Sequence, residues 1–266
     1  MDSASKVQIE ETTMAEAVGQ LLATPKLFLL PVPLSSGPAD RVLPALNIAL
    51  IGRLRYFVVE NLRSARRFLK LCDRSIDIDS LHFVELSEHT PAAEVEAMLR
   101  PLADGHSVGV ISEAGCPAVA DPGADIVAAA HRRGFEVYPL VGPSSILMAL
   151  MASGFNGQSF VFSGYLPIDD GKRAARLREM QRTVQRDTTT QIFIETPYRN
   201  NKLIQQICHE LSADTRLCVA CDITGPRSCI RSMTVAQWRR AEYDFNKVPA
   251  IFLLGADAPD SSRNKK

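Results

Sequence analysis

The 266-residue chain has no run approaching the roughly 18 to 20 uninterrupted apolar residues of a membrane-spanning helix, and its N-terminus lacks the basic-then-apolar layout of a secretory leader. Both absences predict a protein of the cytoplasm with no membrane partner. Nor is there an excess of charge: 30 basic residues face 30 acidic ones, so a polyanion must be held by a local cluster and not by the field of the whole molecule. Neither the G-x-G-x-x-G of a dinucleotide-binding turn nor the G-K-[ST] of a phosphate loop is present, which removes both as the basis of a nucleotide site. There is no internal repeat. Of six scattered cysteines, only Cys218 and Cys221 have a two-residue gap; without a second pair or a histidine at ligand spacing they predict reduced core thiols and no metal site.

What remains is ordinary globular composition, 46% hydrophobic and 23% charged, in a chain long enough for two domains. Residues 1–25 read as an extension outside the catalytic fold, with a weak helical pattern at Met14 to Leu22. From Lys26 apolar strands alternate with amphipathic segments, the signature of a parallel sheet with crossover helices. Strands are predicted at Leu27 to Val32, Tyr56 to Glu60, Phe83 to Leu86, Val108 to Ser112 and Glu136 to Leu140. Helices are predicted at Asp40 to Ile51, Arg63 to Cys72, Pro91 to Leu102 and Asp125 to Arg133. A helix of small and apolar residues, Ser144 to Ser153, closes a first α/β domain of residues 26–153, and Gly154 to Gln158 supplies turn chemistry for a hinge. A second α/β domain, 154–256, holds a basic helix, strands at Gln191 to Glu195, Leu217 to Ile223, Ile230 to Thr234 and Ala250 to Gly255, and a helix at Asn201 to Leu211. A polar tail, 257–266, follows.

Ligands of open parallel sheets gather beyond the carboxyl ends of the strands, so the residues after each strand matter most. Pro31-Val32-Pro33-Leu34-Ser35-Ser36-Gly37-Pro38 follows the first. Ser112-Glu113-Ala114-Gly115-Cys116-Pro117, continued by Ala120-Asp121-Pro122-Gly123, follows the fourth, and Val141-Gly142-Pro143-Ser144-Ser145 follows the fifth and enters a helix N-terminus. In the second half, Glu195-Thr196-Pro197-Tyr198-Arg199-Asn200 ends a strand with polar groups. Taken singly, each of these also reads as plain turn or helix-cap chemistry.

Their order is what carries information. The run from Ile111 through Met151 resembles the Ser-Asp-Ala-Gly-Thr-Pro, Ser-Asp-Pro-Gly and Pro-Gly-Pro-Ser pattern of the 16S rRNA cytidine 2′-O-methyltransferase family, within the tetrapyrrole-methylase superfamily. Pro31-Val32-Pro33-Leu34, Gly164-Tyr165-Leu166-Pro167 and Glu195-Thr196-Pro197-Tyr198-Arg199 are similar to further motifs of that family, in order. The resemblance spans about Lys26 to Gly255. It implies a two-domain tetrapyrrole-methylase-like fold: an N-terminal Rossmann-like parallel sheet, a C-terminal mixed α/β sheet, the donor S-adenosyl-L-methionine in an interdomain cleft, and a homodimer. By the same resemblance the donor contacts fall to Leu34, Glu113, Cys116, Ser145, Ile146, Leu166, Pro249 and Ala250. Three charged stretches are thinner than in the family, among them Glu60-Asn61-Leu62-Arg63, where it has Glu-Asp-Thr-Arg.

A ribose hydroxyl is a poor nucleophile until its proton is drawn away. Candidate bases are Glu60, Glu113, Asp121, Glu195 and Tyr198, with Glu195 and Glu60 favoured because both end strands where the family also has Glu. RNA needs local positive charge: Lys172, Arg173 and Arg176 in the basic helix Lys172 to Arg186, Arg63 and Arg66 with Arg67 and Lys70 after the second strand, and Arg199. A basic helix is also often only a solvated face. The expected activity is ribose 2′-O-methylation of small-subunit rRNA. Its rivals are methylation of a tetrapyrrole or other small molecule, and a non-catalytic RNA-binding or assembly protein of the same fold.

Overall fold

The computed structural model describes residues 13–256; the first twelve residues and the tail at 257–266 lie outside the described residues. Contacts divide the chain into two compact units, one running to Pro33 and from Gly37 to Pro143, the other comprising Leu34–Ser36 and the chain from Ser144 onward.

The first unit runs α1 (Met14–Leu21), β1 (Lys26–Leu29), α2 (Ala45–Ile51), β2 (Tyr56–Val59), α3 (Leu62–Cys72), β3 (His82–Glu85), α4 (Ala92–Ala97), α5 (Arg100–Ala103), β4 (Val108–Ile111), α6 (Gly123–Arg132) and β5 (Glu136–Pro139). Its sheet has the order β3-β2-β4-β1-β5, and every pairing is parallel. All four residues of β4 are buried, as a central strand covered on both faces requires. Phe28, Phe57 and Phe68 fill the core on one face, while Leu27, Val58 and Val110 pack with Leu99 and Ile126 on the other.

Two helices predicted as single segments are divided, and proline is the reason in both. Pro44 disfavours helical backbone at the residue before it and starts α2, leaving only a 3-10 turn at Ala39–Arg41. Pro101 has no N–H to give and its ring would strike the carbonyl of a continuing helix, so α4 and α5 are separate. The helix α1, which the sequence reading leaves outside the catalytic fold, is closed by a Thr13–Glu16 capping box and buries Val18 in the first core.

The second unit runs α7 (Ser145–Ser153), β6 (Phe160–Tyr165), α8 (Asp170–Asp187), β7 (Thr190–Ile194), α9 (Asn200–Glu210), β8 (Arg216–Cys221), β9 (Cys229–Thr234), α10 (Val235–Trp238) and β10 (Ala250–Gly255). Its sheet, β6-β7-β10-β8-β9, is mixed: β6 and β7 are parallel and the remaining pairs antiparallel. Side chains alternate along β8. Leu217, Val219 and Cys221 join the cluster with α8, α9 and Trp238, whereas Cys218 and Ala220 join α7 and Leu34 on the opposite face. Cys218 and Cys221 therefore point to different sides of the sheet, and burial pushes both thiols up to about 12.

The helix Ser145–Ser153, assigned from sequence to the first half, packs on β8, β9 and β10 of this second sheet. The division accordingly falls after Pro143. The Gly154 bend is the left-handed C-cap of α7 (φ 76°), and Phe155 beyond it lies on Gly255, where an added Cβ would come within 2.4 Å of the ring.

Candidate active site

In the first unit the loops after β1, β4 and β5 are tied to one another. Val32 and Gly115 exchange backbone hydrogen bonds, both 2.9 Å, so the chain leaving β1 is bridged to the loop after β4. The Cys116 thiol, held protonated by burial, donates to the Pro143 carbonyl at 3.4 Å and links the β4 and β5 loops. Gly142 lies on Pro31, where a Cβ would sit 2.2 Å from the proline's own Cβ, so this position accepts no side chain without a backbone shift. The Asn47 amide fixes the same loop by donating to the Val141 carbonyl at 2.7 Å.

The β4 loop is bent by three left-handed residues, Gly115 (φ 75°), Ala118 (φ 67°) and Ala120 (φ 63°). For the two alanines this conformation costs on the order of 1 kcal/mol each. Asp121 Oδ1 holds the bend by accepting from the N–H groups of Ala118 (2.9 Å) and Gly123 (2.7 Å), a turn-forming role for a residue considered as a base. The Ser112 hydroxyl, buried beneath this loop, has no hydrogen-bond partner among the described residues.

Glu60 follows β2, and its Oε2 accepts the Glu113 N–H at 3.0 Å. Much of the residue's surface is open, yet the protein packed about its carboxyl desolvates it and raises its pKa. The Glu113 N–H opposes that rise, and the negative charges of Asp121, Glu113 and Glu88 add to it. Glu113 also accepts from the Ser64 hydroxyl at 3.2 Å, which joins the β4 loop to the first turn of α3, itself capped by Asn61.

The second unit places its candidates differently. Glu195, buried after β7, uses Oε1 to accept from Thr196 N (2.7 Å) and from Arg199 Nε (3.0 Å) and Nη2 (2.7 Å). Arg199, named from sequence for RNA, is thereby committed to an ion pair on its own turn. Tyr198 is 74% exposed, with its ring in solvent. Leu34 packs beside Ile146 on the sheet face covered by α7, and Ser35 shares a 3.0 Å hydrogen bond with Thr224. Ser145 and Ile146 occupy the first turn of α7, whose N–H groups have no partner within the helix, and Ser144 caps that turn. Leu166 is buried, Pro249 is exposed with its carbonyl accepting from Asp222 N (2.9 Å), and Ala250 is buried at the start of β10.

Arg173 corrects the sequence reading outright. It is only 3% exposed, and its guanidinium bonds Gln206, Asp170 and the carbonyls of Pro167 (3.2 Å) and Ile168 (2.9 Å). It fixes the loop that carries Leu166 and has nothing left for a phosphate. Arg176 is also engaged, with Glu179 (2.7 Å) and Ser163 (3.2 Å), whereas Lys172, Arg63 and Arg66 are exposed. Asn200, which the sequence places only at the end of a polar segment, is an anchor: wholly buried, its amide donates to the carbonyls of Phe245 (3.1 Å) and Val248 (2.7 Å) and pins the approach to Pro249. A polar residue on the first, buried turn of a helix was its only signal.

Comparison with known proteins agrees with this fold. The family model of the Tetrapyrrole (Corrin/Porphyrin) Methylases matches residues 39–237, and the chain belongs to that family. Among its relatives, a protein of Vibrio cholerae named Ribosomal RNA small subunit methyltransferase I is 28% identical over 233 residues, covering 86% of this chain and 76% of the relative. A protein of the same name from Neisseria meningitidis serogroup B is 32% identical over 158 residues, 59% of this chain and 53% of the relative, so the chain spans about half the length of that relative. A crystal structure of the methyltransferase CobJ shares the fold, with a TM-score of 0.57 at 17% identity over 88% of this chain and 95% of that one.

Proposed function

We propose that the protein is an S-adenosylmethionine-dependent methyltransferase acting on a ribose 2′-hydroxyl of small-subunit ribosomal RNA in the cytoplasm. The observation that carries the reading is the set of strand-end loops after β1, β4 and β5, stitched together by Val32–Gly115, Cys116–Pro143 and the Gly142–Pro31 contact, in a chain of this family. The names of the relatives support RNA as the acceptor.

The residues present suit such a donor. Gly142 lets the loops after β1 and β5 close on each other at Pro31, the Ser112 hydroxyl is buried without a partner among the described residues, and the first turn of α7 offers N–H groups. Carried over from the family, Leu34, Glu113, Cys116, Ser145, Ile146, Leu166, Pro249 and Ala250 would hold it. When bound, the donor supplies a methyl group on a sulfonium, which is already a good leaving group. The chain's own task is then to align the acceptor hydroxyl, exclude water and remove one proton.

Glu60 is the proton acceptor in this reading. Oε2 is fixed by the Glu113 N–H, leaving Oε1 to accept, and the raised pKa brings its proton affinity nearer that of a useful base at neutral pH. Glu195 acts as a positioning residue, since its Oε1 already accepts three hydrogen bonds from its own turn. A homodimer is supported by Phe160, Val161 and Tyr165, large side chains exposed on the edge strand β6.

Two measurements test the reading. Calorimetry is expected to detect S-adenosylmethionine binding, and absence of binding at high micromolar donor would favour the assembly-protein alternative. Mass mapping of ribose methylation in small-subunit rRNA, with and without the gene, is expected to lose one site; an unchanged map removes this acceptor.

A further inference from the structure

The two basic helices named by the sequence differ in how their charge is used. In α8, four of the six cations are bound to carboxylates of the same unit: Arg173 to Asp170, Arg176 to Glu179, Arg178 to Glu210 and Arg186 to Asp187. In α3 there is no acidic residue, and among the described residues none of Arg63, Arg66, Arg67 and Lys70 forms an ion pair with a carboxylate. Arg63, Arg67 and Lys70 recur at spacings of four and three, which places them on one side of the helix, opposite the buried Ala65, Phe68 and Leu69, and Arg74 beyond the helix end lines the same groove as Arg67 and Lys70. Arg66 is exposed beside them over the Phe83 ring, 5.7 Å from its centroid.

This stripe borders a groove of about 690 Å³, where Arg67, Lys70 and Arg74 stand over apolar surface from Ile48 and Leu71. Asp40 also lines it and Asp73 follows the helix; neither forms an ion pair with these cations, although hydrogen bonds from Ser75 and, to a smaller extent, the Lys70 charge hold the Asp73 carboxyl below its usual range. Leu71 is 46% exposed. Lys70 Nζ donates to the Arg74 carbonyl at 3.0 Å, which leaves its charge without a carboxylate, and cations of this kind above an apolar floor suit a nucleic-acid strand, whose phosphates need charge and whose sugars and bases need contact area. The helix also begins two residues after Glu60 and extends about 16 Å from it at 1.5 Å per residue.

Resting on the RNA acceptor reading, we propose that the RNA backbone docks along α3 and this groove, through Arg63, Arg67, Lys70 and Arg74, and not along α8. A strand held there has one end delivered to the loop that carries Glu60. Cations already neutralised within α8 release few counterions on meeting RNA, so that helix contributes little affinity.

The test is fluorescence anisotropy with a labelled single-stranded fragment of small-subunit rRNA, titrated at several salt concentrations. The triple variant Arg67→Ala, Lys70→Ala, Arg74→Ala is expected to lose at least about 30-fold in affinity near 0.1 M salt, and the log–log salt slope to fall by about two, for three phosphates on a single strand. The double variant Lys172→Ala, Arg182→Ala in α8 is expected to stay within about twofold of the parent. Equal affinity of the triple variant and a parent that binds overturns the docking surface and leaves the acceptor reading standing. A parent that binds no RNA brings down both. Should the triple variant fail to fold, Arg67→Ala and Lys70→Ala singly carry the same comparison, each expected to lose about threefold and overturning the proposal if neither loses affinity.

Discussion

Glu60 and Glu195 each follow the last residue of a strand, one in each unit, and each leads within a few residues into a helix. Their surroundings differ. Glu195 sits beside Thr196 and Arg199 on its own turn and is satisfied locally, whereas Glu60 meets a single N–H, that of Glu113, among other carboxylates. The basic helices repeat the contrast, since α8 commits four of its six cations to carboxylates of its own unit, whereas among the described residues no cation of α3 meets a carboxylate. Among the described residues, Glu195 and four cations of α8 are held in ion pairs within their own unit, whereas Glu60 and the cations of α3 form none.

The largest expected effect separates the two glutamates. Glu60→Gln keeps an oxygen for the Glu113 N–H and is expected to lower kcat for methyl transfer by about 10²- to 10⁴-fold with RNA affinity unchanged. Glu195→Gln is expected to lower it less than about tenfold, and the reverse order in single-turnover assays would break the comparison. Next comes Arg173→Met, which strands the Pro167 and Ile168 carbonyls and is expected to cost about 3 kcal/mol in chemical denaturation. A cost under about 1 kcal/mol, together with weakened RNA binding, would return Arg173 to the RNA surface.

Gly142→Ala forces the β5 loop away from Pro31 and is expected to cost about 1–3 kcal/mol and to weaken donor binding in calorimetry; unchanged donor affinity would detach that loop from the site. The smallest effect is in pH. Because the folded protein disfavours ionised Glu60, its contribution to stability is most favourable below the ordinary glutamate range and is lost as pH rises through the raised value. Glu60→Gln removes that loss, so the variant's thermal midpoint is expected to gain on the parent's as pH rises through that interval. A constant difference across it would place Glu60 in an ordinary, well-hydrated environment.

Much of the architecture was legible in the chain itself. Continuous apolar segments such as Val108 to Ile111 mark strands buried on both faces, and the alternation with helices marks a parallel sheet. The family resemblance follows from the order of the Gly- and Pro-rich bends. Pro44 and Pro101 are equally visible in the chain, and their missing N–H groups and ring sterics are what divide both helices.

The site was legible as loops and illegible as roles. Residue type and spacing suggest a basic helix, but only packing shows that Arg173 is buried and fully bonded while Arg67 is exposed and, among the described residues, has no ion pair. Asp121 and Asn200 look like polar loop and helix residues in sequence, and become anchors only once the carbonyls and N–H groups they meet are in place.

The sequence by itself determined which segments are strands, helices and small-residue bends, because these depend on short-range sterics and on the period of apolar residues. Tertiary structure decided that α7 packs on the second sheet, that Cys218 and Cys221 face opposite sides of β8, and which charges are neutralised within the fold. Those outcomes depend on contacts between residues far apart in the chain, where a shift of a few ångströms turns an ion pair into a free charge.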